Sequence, residues 1–566
     1  MRMLRIFSLE LRRLMKSRLS CLVMLLTVLS PLTGLILYKP ATASTMLSMY
    51  LANPALAGGV AGGILFGLLT VFEFDRVNRS RTEMLIDPAV SPLSMALVRL
   101  AALFAVSLLT LLVTMLIWLP VSMKLIGSLF SWLNYILAYL LFMGLALPLC
   151  ILAASSAYQF TRRSDLSIVL FAALAALSLT IWADSWQLCW LNPCVWALSD
   201  DFSNFRIFRS VAYMRLTCLI AFSGVWALSW LCIRLHGKSA LGSFTRSARR
   251  VYRPAIAALL LTGSVTAYAE QPIIDNSNPD QTVMSFYELA YADGVVCTGR
   301  TANVRPETSS GTLSGTASYM FENTSGQEQT VYFGVKPGYD IISVSANGEN
   351  TSYTVSNYQE FNEALLEITI PASESVELVI EYGGYPREDR NMSTMQGSSE
   401  ISSEYICLEN AALAPRLINV LPDENMYPSV IEIIVPSAMT VIPFGSSDAE
   451  IISTNGDGTS TWRYETNGTG GILYAGDYIR MDIEAGGITI EFYYGRKHQA
   501  VMESAGAANA VKAVVDYCTE HYGPLSFGSG GSLKLIQSRV TGGGYATNGA
   551  SLLDESDFAA DNLSDS

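Results

Sequence analysis

The chain has 566 residues, of which 51% are hydrophobic and only 15% are charged, and its mean hydropathy is +0.33. These values exclude a disordered or fibrous chain and are unusual for a wholly soluble protein. The net charge of −13 is unevenly divided, because residues 1–253 carry 23 Lys and Arg against 9 Asp and Glu, whereas residues 254–566 carry 13 against 40. A basic, apolar half and an acidic, polar half predict two different environments. The first half is predicted to lie in a lipid bilayer and the second in water.

Apolar runs without a charged residue follow one another through the first half, each close to the roughly 20 residues that a transmembrane helix needs. They predict a multi-pass α-helical membrane domain rather than the buried helices of a soluble protein. A seventh, shorter run, Ala255–Ala269, follows a basic cluster, and a short seventh helix is preferred to an internal signal-peptide-like segment. The six longer runs are Leu19–Tyr38, Leu51–Phe72, Leu100–Leu119, Leu133–Ala154, Leu166–Trp182 and Leu216–Ile233.

The second run contains glycines at four-residue spacings. They either form a smooth face for close helix packing or reflect the general tolerance of membrane helices for glycine. These glycines are Gly58, Gly59, Gly62, Gly63 and Gly67.

Lys and Arg concentrate in the N-terminal tail, in the second and fourth loops and after the sixth run. Positive charge near the ends of membrane helices favours the cytoplasmic side. We therefore expect a protein of the cell membrane with a cytoplasmic N-terminus, in contact with the lipid bilayer, and an acidic second half outside. That acidic half argues against binding nucleic acid.

The N-terminal tail carries Leu4, Phe7, Leu11 and Leu14 at helical spacing, which predicts an amphipathic helix lying on the inner leaflet. The second loop contains the run Arg81–Ser91. Together these segments resemble the elbow helix and the coupling helix of type-2 ABC exporter permeases, although an extra Ala89 interrupts the second pattern and an ordinary charged loop is the alternative. The coupling residues implied by the resemblance are Arg81, Thr82, Glu83, Leu85 and Pro88.

This resemblance implies an elbow helix over residues 1–18, a six-helix permease-like domain over 19–235 and a dimer of permease units. It also implies a separate ABC ATPase subunit, because the chain contains no Gly-x-x-x-x-Gly-Lys-Ser/Thr phosphate-binding loop. The aromatic-rich stretch Asp184–Ser210 is similar to the outer re-entrant helices of the same family, and a plain interfacial loop is the alternative. Residues 236–269 form the basic cytoplasmic linker and the seventh helix.

From about Gln271 the sequence alternates short apolar stretches with Gly, Asn and Ser turns, which predicts a β-sandwich-like domain. Predicted strands include Thr330–Val335, Leu366–Ile370 and Val376–Tyr382, and Asn347-Gly348 and Asn455–Gly458 predict hairpin turns. Val501–His521 predicts one helix that ends before Gly523, and the Gly-rich run from Gly528 predicts a loop leading into a strand.

The order of several segments resembles the N-terminal β domain of the aminopeptidase N class of zinc metallopeptidases. Tyr522–Phe527 is similar to the turn that leads into the catalytic domain of that family. The resemblance implies an exported β domain over 270–497 and a short, incomplete α/β start of a peptidase domain over 498–566. The segments are Gly311–Thr316, Tyr382–Pro386, Ile433–Pro436, Thr461–Glu465 and Leu473–Tyr478.

In that family a Gly-Ala-Met-Glu-Asn strand grips the free amine of the substrate through its Glu. The corresponding position here is Ala546 or Thr547, and neither carries a carboxylate. The stretch either keeps a peptide-pairing edge strand for peptides on the outer face or is a Gly-rich loop without a ligand. Its residues are Gly543, Gly544, Tyr545, Ala546, Thr547 and Asn548.

A zinc peptidase needs His-Glu-x-x-His on a helix. The three histidines, His236, His498 and His521, belong to no such motif and are predicted to be ordinary histidines, the last two on the surface. No catalytic residue, metal site or cofactor is predicted in this chain, and zinc is expected only in a longer form of the protein. This chain would then be a truncated or split version of that form, and natural loss of the catalytic half is the alternative. Cys189 and Cys194 could bridge, but free thiols are preferred.

The predicted function is therefore the permease subunit of an ATP-driven ABC transporter that carries an exported aminopeptidase-like domain. Two alternatives stay open: a membrane-anchored zinc aminopeptidase fragment that lacks its catalytic helix, and a non-catalytic module that binds or senses peptides.

Overall fold

The computed structural model describes residues 2–80, 91–233, 240–273, 289–356, 363–387, 399–420, 427–445, 447–467, 471–524, 532–539, 545–547 and 549–558. Apart from three residues outside these ranges, the chain divides into two compact units. The helical unit comprises Met1–Leu198 and Ile207–Gln271, and the β unit comprises Ser199–Arg206, Pro272–Arg390 and Thr394–Ser566. One short segment of the β unit is thus drawn from the middle of the helical sequence.

Helices occupy each of the predicted apolar runs, and further helices lie outside those runs. They are α1 (Arg2–Lys16), α2 (Arg18–Leu29), α3 (Pro31–Ile36), α4 (Asn53–Arg79), α5 (Pro92–Ile126), α6 (Trp132–Ala138), α7 (Ala146–Thr161), α8 (Ser164–Leu179), α9 (Phe205–Ser229), α10 (Ala240–Ala248) and α11 (Tyr252–Ala269). Wider π-helical turns, Ser48–Ala52 and Tyr139–Gly144, precede α4 and join α6 to α7.

Within the described residues, five helical segments are long and apolar enough to cross a membrane: Arg18–Ile36, Ser48–Arg76, Pro92–Leu129, Trp132–Thr161 and Phe205–Cys232. The fifth predicted run forms α8, an apolar helix of only 16 residues. The seventh run is helical, as predicted, but α11 is not among the five. The multi-helix character of the first half is confirmed, with one predicted span shorter than expected.

The glycines of α4 lie against neighbouring helices. A Cβ on Gly59 would lie 2.5 Å from the Phe142 carbonyl oxygen, and one on Gly63 would lie 2.7 Å from the sulfur of Cys150. A Cβ on Gly67 would overlap the ring of Phe171. These approaches leave no room for a side chain, so the packing interpretation of the glycine spacing is confirmed.

The predicted re-entrant helices between Asp184 and Ser210 are wrong, because the chain from α8 to α9 is irregular up to the start of α9 at Phe205. The fully buried guanidinium of Arg215 explains part of this conformation. It donates to the backbone carbonyls of Trp190, Leu191 (3.2 Å) and Phe142 (3.1 Å). The Trp190 and Leu191 carbonyls thus find a hydrogen-bond partner in Arg215 without forming a helix.

The β unit consists of short strands in several sheets, as predicted. The strands are β1 (Val295–Glu307), β2 (Thr312–Asn323), β3 (Gln329–Val335), β4 (Tyr339–Ala346), β5 (Glu349–Asn350), β6 (Tyr353–Ser356), β7 (Ala364–Ile370), β8 (Ser375–Gly384), β9 (Glu400–Ile401), β10 (Tyr405–Glu409), β11 (Arg416–Leu417), β12 (Pro428–Pro436), β13 (Thr440–Pro443), β14 (Glu450–Thr454), β15 (Thr459–Asn467), β16 (Ile472–Gly476), β17 (Tyr478–Ala485), β18 (Ile488–Gly495), β19 (Ser532–Ser538), β20 (Tyr545–Thr547) and β21 (Ala550–Asp554).

An eight-stranded sheet of order β14-β15-β12-β1-β2-β8-β4-β5 shares one buried core with two four-stranded sheets, β13-β16-β10-β9 and β11-β3-β7-β6. Alternate residues of β8, such as Leu378 and Ile380, point into this core with Phe333 and Ile368. This period of two is the pattern that predicted the strands. At the predicted hairpin turn, Asn347 and Gly348 have φ of 52° and 82°, as a type I′ turn requires.

The five-stranded sheet has the order β17-β18-β19-β21-β20, and β18, β19 and β21 are mutually parallel. Two helices, α12 (Gln499–Ala505) and α13 (Ala507–Tyr522), connect β18 to β19. The single helix predicted over Val501–His521 is therefore wrong in one respect. Gly506, with φ of 64°, interrupts it in the left-handed region that an α-helix does not use, whereas the predicted end before Gly523 is confirmed.

Candidate functional site

The site residues predicted from the permease resemblance, Arg81, Thr82, Glu83, Leu85 and Pro88, lie outside the described residues, as do Gly543, Gly544 and Asn548 of the predicted substrate stretch and His236. Tyr545–Thr547 form β20, which pairs antiparallel with β21 at the edge of the five-stranded sheet. The side chain of Ala546 is exposed. Among the described strands β20 is thus the edge strand that the peptide-pairing interpretation requires, and its role in binding stays a prediction.

A second site lies where the parallel strands β18, β19 and β21 end. In open sheets the carboxyl ends of parallel strands meet at one edge and form the usual place for a ligand. Gly495 ends β18, Gln537 lies near the end of β19, and Glu555 directly follows β21. In this protein the edge is covered by Ser199–Arg206, the part of the β unit that precedes Ile207 in the helical sequence. We call these eight residues the docked segment.

Glu555 holds the first residues of the docked segment. Its Oε1 atom accepts hydrogen bonds from the backbone N–H groups of Asp200 (2.8 Å) and Asp201 (2.7 Å) and from the Ser199 hydroxyl (3.0 Å). Glu555 is fully buried, and its Oε2 atom has no hydrogen-bond partner among the described residues. One carboxyl oxygen therefore fixes three donors, while the other is buried away from water.

Asp201 reaches in the opposite direction, toward the end of β18. Its Oδ2 atom lies 2.7 Å from Nδ1 of His498, and its Oδ1 atom accepts from the backbone N–H of Lys497 (3.1 Å). The Lys497 ammonium donates to the Asp201 carbonyl oxygen (2.7 Å), and the Gln537 amide lies 3.5 Å from Oδ2. The segment is thus bound at two strand ends. Glu555 holds it after β21, and the Asp201 side chain binds Lys497 and His498 after β18.

The close approach of Asp201 requires a glycine at the end of β18. A Cβ on Gly495 would overlap the Asp201 carboxylate, so no other residue fits there without displacing that side chain. The Gly495 N–H also donates to Oε1 of Gln537 (2.9 Å). The strand end is therefore shaped to receive the carboxylate.

An aromatic anchor follows the polar one. The ring of Phe202 is buried against Tyr405 and Tyr478, at centroid distances of 4.5 and 5.4 Å. Tyr478 in turn donates its hydroxyl to the Gln537 carbonyl oxygen at 2.9 Å. Burying a phenylalanine ring stabilises such a contact by roughly 1.5–3 kcal/mol, so the segment is held by apolar as well as polar groups.

The burial of this cluster perturbs its titration. Burial, with the nearby charge of Asp200, raises the pKa of Glu555 to about 8, while His498 opposes the shift. Burial disfavours the charged form of His498, but the hydrogen bond and charge of Asp201, with the charges of Glu555 and Asp200, raise its pKa above the ordinary value. Both groups therefore bind protons more tightly in the docked arrangement than in water.

The prediction that His498 lies on the surface is wrong: it is 1% exposed, because Asp201 and the ring of Phe558 (5.7 Å away) enclose it. The prediction for His521 is confirmed, since its side chain is exposed. The sequence reasoning missed the site because Asp201 and His498 are 297 positions apart. The available signal was the Asp200-Asp201 pair, an acidic dipeptide in an otherwise aromatic loop.

In the part of the chain that the structure describes, no three His, Cys, Asp or Glu side chains are arranged to hold a metal ion. The described cysteines, Cys189 and Cys194 among them, are free thiols, as preferred from the sequence.

No family model and no curated protein matches the chain. Among solved structures it is similar to an M1 zinc metallopeptidase from Deinococcus radiodurans (13% identity, TM-score 0.32, 47% of this chain and 62% of that one). It is also similar to yeast LTA4 hydrolase (11%, 0.33, 48% and 42%) and to an aminopeptidase N family protein from Idiomarina loihiensis (13%, 0.32, 46% and 43%). The chain spans less than two thirds of the length of each of these proteins.

Proposed function

We propose that the chain is the membrane subunit of an ATP-driven transporter of the type-2 ABC permease kind, with an aminopeptidase-like unit outside the cell membrane and a separate ATPase on the cytoplasmic side. The observation that carries the proposal is the arrangement of the amphipathic helix α1 against the apolar helices. Leu14 of α1 is buried, and Arg13 of α1 pairs with Glu73 of α4. An amphipathic helix anchored in this way supports the proposed elbow helix on the inner leaflet.

The pairing is a small ionic network. Arg13 lies 2.7 Å from Glu10 on its own helix and 2.6 Å from Glu73 on α4, and Arg76 lies 3.6 Å from Glu73. Both glutamates are largely buried, so each depends on its arginine partners. Because α4 ends at Arg79, this network lies on the part of α4 that directly precedes the predicted coupling segment in the sequence.

The first prediction tests the coupling role. Reversing the charge of Glu83 (Glu83→Lys) should reduce substrate-stimulated ATPase activity of the complex at least tenfold, because a docking carboxylate is replaced by a repelling ammonium. The matched control is Asp165→Lys. Asp165 lies in the first turn of α8, next to the fourth loop that is predicted to be cytoplasmic, and its exposed carboxylate pairs with the neighbouring Arg163. ATPase activity of complexes in lipid nanodiscs measures the effect.

An ATPase that copurifies with the chain and loses stimulation only in Glu83→Lys supports the proposal. Purified chain without any ATPase, or equal activity of the two variants, contradicts it.

A second candidate function is supported by β20. An extended peptide can add to a sheet at an open edge, and Tyr545–Thr547 form such an edge strand. The β unit would then bind peptides without hydrolysing them, or belong to a membrane-anchored zinc aminopeptidase fragment. The 566 residues contain no His-Glu-x-x-His sequence to supply two zinc ligands and the general base.

The second prediction separates these two forms of the candidate. The purified 566-residue chain should hydrolyse no aminopeptide substrate, with or without added zinc, because it lacks the ligands that would make a metal-bound hydroxide at neutral pH. Release of a fluorogenic amine from amino-acid amides and zinc content by mass spectrometry measure this. Hydrolysis that a chelator abolishes, together with one zinc per chain, would contradict the prediction.

A further inference from the structure

We propose that the carboxyl ends of β18, β19 and β21 form a proton-controlled clasp for the docked segment, which closes tightly under acidic conditions and loosens as the pH rises. The clasp is independent of the two proposed functions, since it rests on contacts inside the β unit. The groups that hold the segment are Oε1 of Glu555 and the imidazole of His498, which lies against the Asp201 carboxylate of the segment.

The geometry of Glu555 makes its charge costly in the docked arrangement. Oε1 already accepts from three donors, and these bonds form whether the group is ionised or neutral. Oε2 is buried without a partner among the described residues, so an anionic charge on it would be neither hydrated nor bonded. A proton on Oε2 removes that cost without breaking any of the bonds from the segment.

The surrounding charges act in the same direction. Two carboxylates of the segment lie beside Glu555, and each disfavours a third negative charge, whereas a protonated His498 compensates them. Lys497 is bonded to the backbone of Asp201 rather than to Glu555. Among the described residues, the titratable groups that face the cluster are Asp200, Asp201, Tyr478, Lys497, His498 and Glu555.

The sign of the pH effect follows from the direction of both shifts. Once the segment leaves, Glu555 would ionise near its ordinary value and His498 would release its proton more easily. The docked arrangement therefore binds more protons than the released one, and docking weakens as the pH rises from about 4.5 to the docked pKa of about 8. Each proton linked in this way changes the docking equilibrium by up to about tenfold per pH unit.

Hydrogen exchange of the 566-residue chain in detergent micelles tests the clasp. The reporters are the backbone amides of Asp200 and Asp201, and their rates are corrected for the intrinsic pH dependence of exchange. We expect their protection factors to fall at least tenfold between pH 6 and pH 8. Amides of the core strand β8 report on the fold of the unit and should keep their protection.

Glu555→Gln is the decisive variant, because the amide keeps an acceptor oxygen for the three donors and cannot ionise. It should remove most of the fall in protection, and His498→Gln should remove part of the remainder. Glu503→Gln and His521→Gln are matched controls, since both side chains are exposed in the same unit. Wild-type protection that does not change with pH, or an equal fall in Glu555→Gln, would overturn the proposal.

Should Glu555→Gln fail to fold, β8 would lose protection too, and the wild-type pH profile would then decide. A fall in protection of Asp200 and Asp201 that β8 does not share supports the clasp, and a fall shared by both overturns it.

Discussion

Replacing Gly59 by valine is expected to abolish stable folding of the helical unit. The new Cβ would lie 2.5 Å from the Phe142 carbonyl oxygen and 3.2 Å from Cα of Met143, and these are backbone atoms that cannot rotate aside. Overpacking of buried sites typically costs about 1–3 kcal/mol, and a clash with backbone belongs at or above the upper end of that range. Thermal unfolding and monodisperse yield in detergent measure the loss.

Gly263→Val is the matched control, because a Cβ on Gly263 of α11 meets nothing within 4 Å. It should unfold within a few degrees of the wild type. If both variants unfolded at the same temperature, close packing of α4 would not be the reason for its glycines.

The largest effect in the β unit is expected from Arg416→Met. The guanidinium of Arg416 contacts both carboxylate oxygens of the buried Glu363, at 2.8 and 3.1 Å. Removing one partner of a buried ion pair typically costs about 3–5 kcal/mol, because the other charge stays buried and unpaired. Urea unfolding, followed by hydrogen exchange of β3 and β7, measures the loss.

The loss should depend on pH in a defined direction. Burial raises the pKa of Glu363, while Arg416 lowers it. Without Arg416 the carboxyl group will hold its proton to higher pH in the folded state than in the unfolded one. The free-energy cost of burying the ionised Glu363 is therefore absent at acidic pH and grows as the pH rises. The loss of stability in Arg416→Met should be smaller at pH 4.5 than at pH 7.5.

Two further variants control this result. Arg463→Met removes an exposed pair with Glu465 (3.3 Å) and should cost less than about 1 kcal/mol. Adding Glu363→Gln to Arg416→Met should recover much of the stability, because no charge is left buried. A loss of equal size at both pH values would argue against a buried charge as the cause.

Local patterns predicted the elements of this protein, and long-range contacts decided where prediction failed. The apolar runs of α4 and the alternation of β8 are properties of neighbouring residues, so both are visible in the sequence. The interruption of the helix at Gly506 was not visible in the sequence, since glycine is also tolerated within helices. The irregular chain after α8 depends on Arg215, which lies about 24 positions further on.

The docked segment was the hardest feature to predict. The contacts that bind it to the strand ends join residues hundreds of positions apart, such as Ser199 with Glu555 and Asp201 with His498. The composition of the loop indicated only an interfacial location for its aromatic residues, whereas Phe202 is buried in the β unit. Buried polar pairs of this kind follow from tertiary packing, which a single sequence does not encode in any local period.

The interleaved origin of the β unit constrains how the protein is made. During translation Ser199–Arg206 is synthesised well before the residues that bind it, because Tyr405, His498 and Glu555 follow the segment by about 200 to 350 positions. A polypeptide that starts at Pro272 would lack Phe202 and the backbone amides that donate to Glu555. It would expose the rings of Tyr405 and Tyr478 and leave the Glu555 carboxyl group without those donors. Such a fragment needs the peptide Ser199–Arg206 added in trans, as a split protein needs its complementing piece. Expression of the acidic half alone would leave the binding site of that peptide empty.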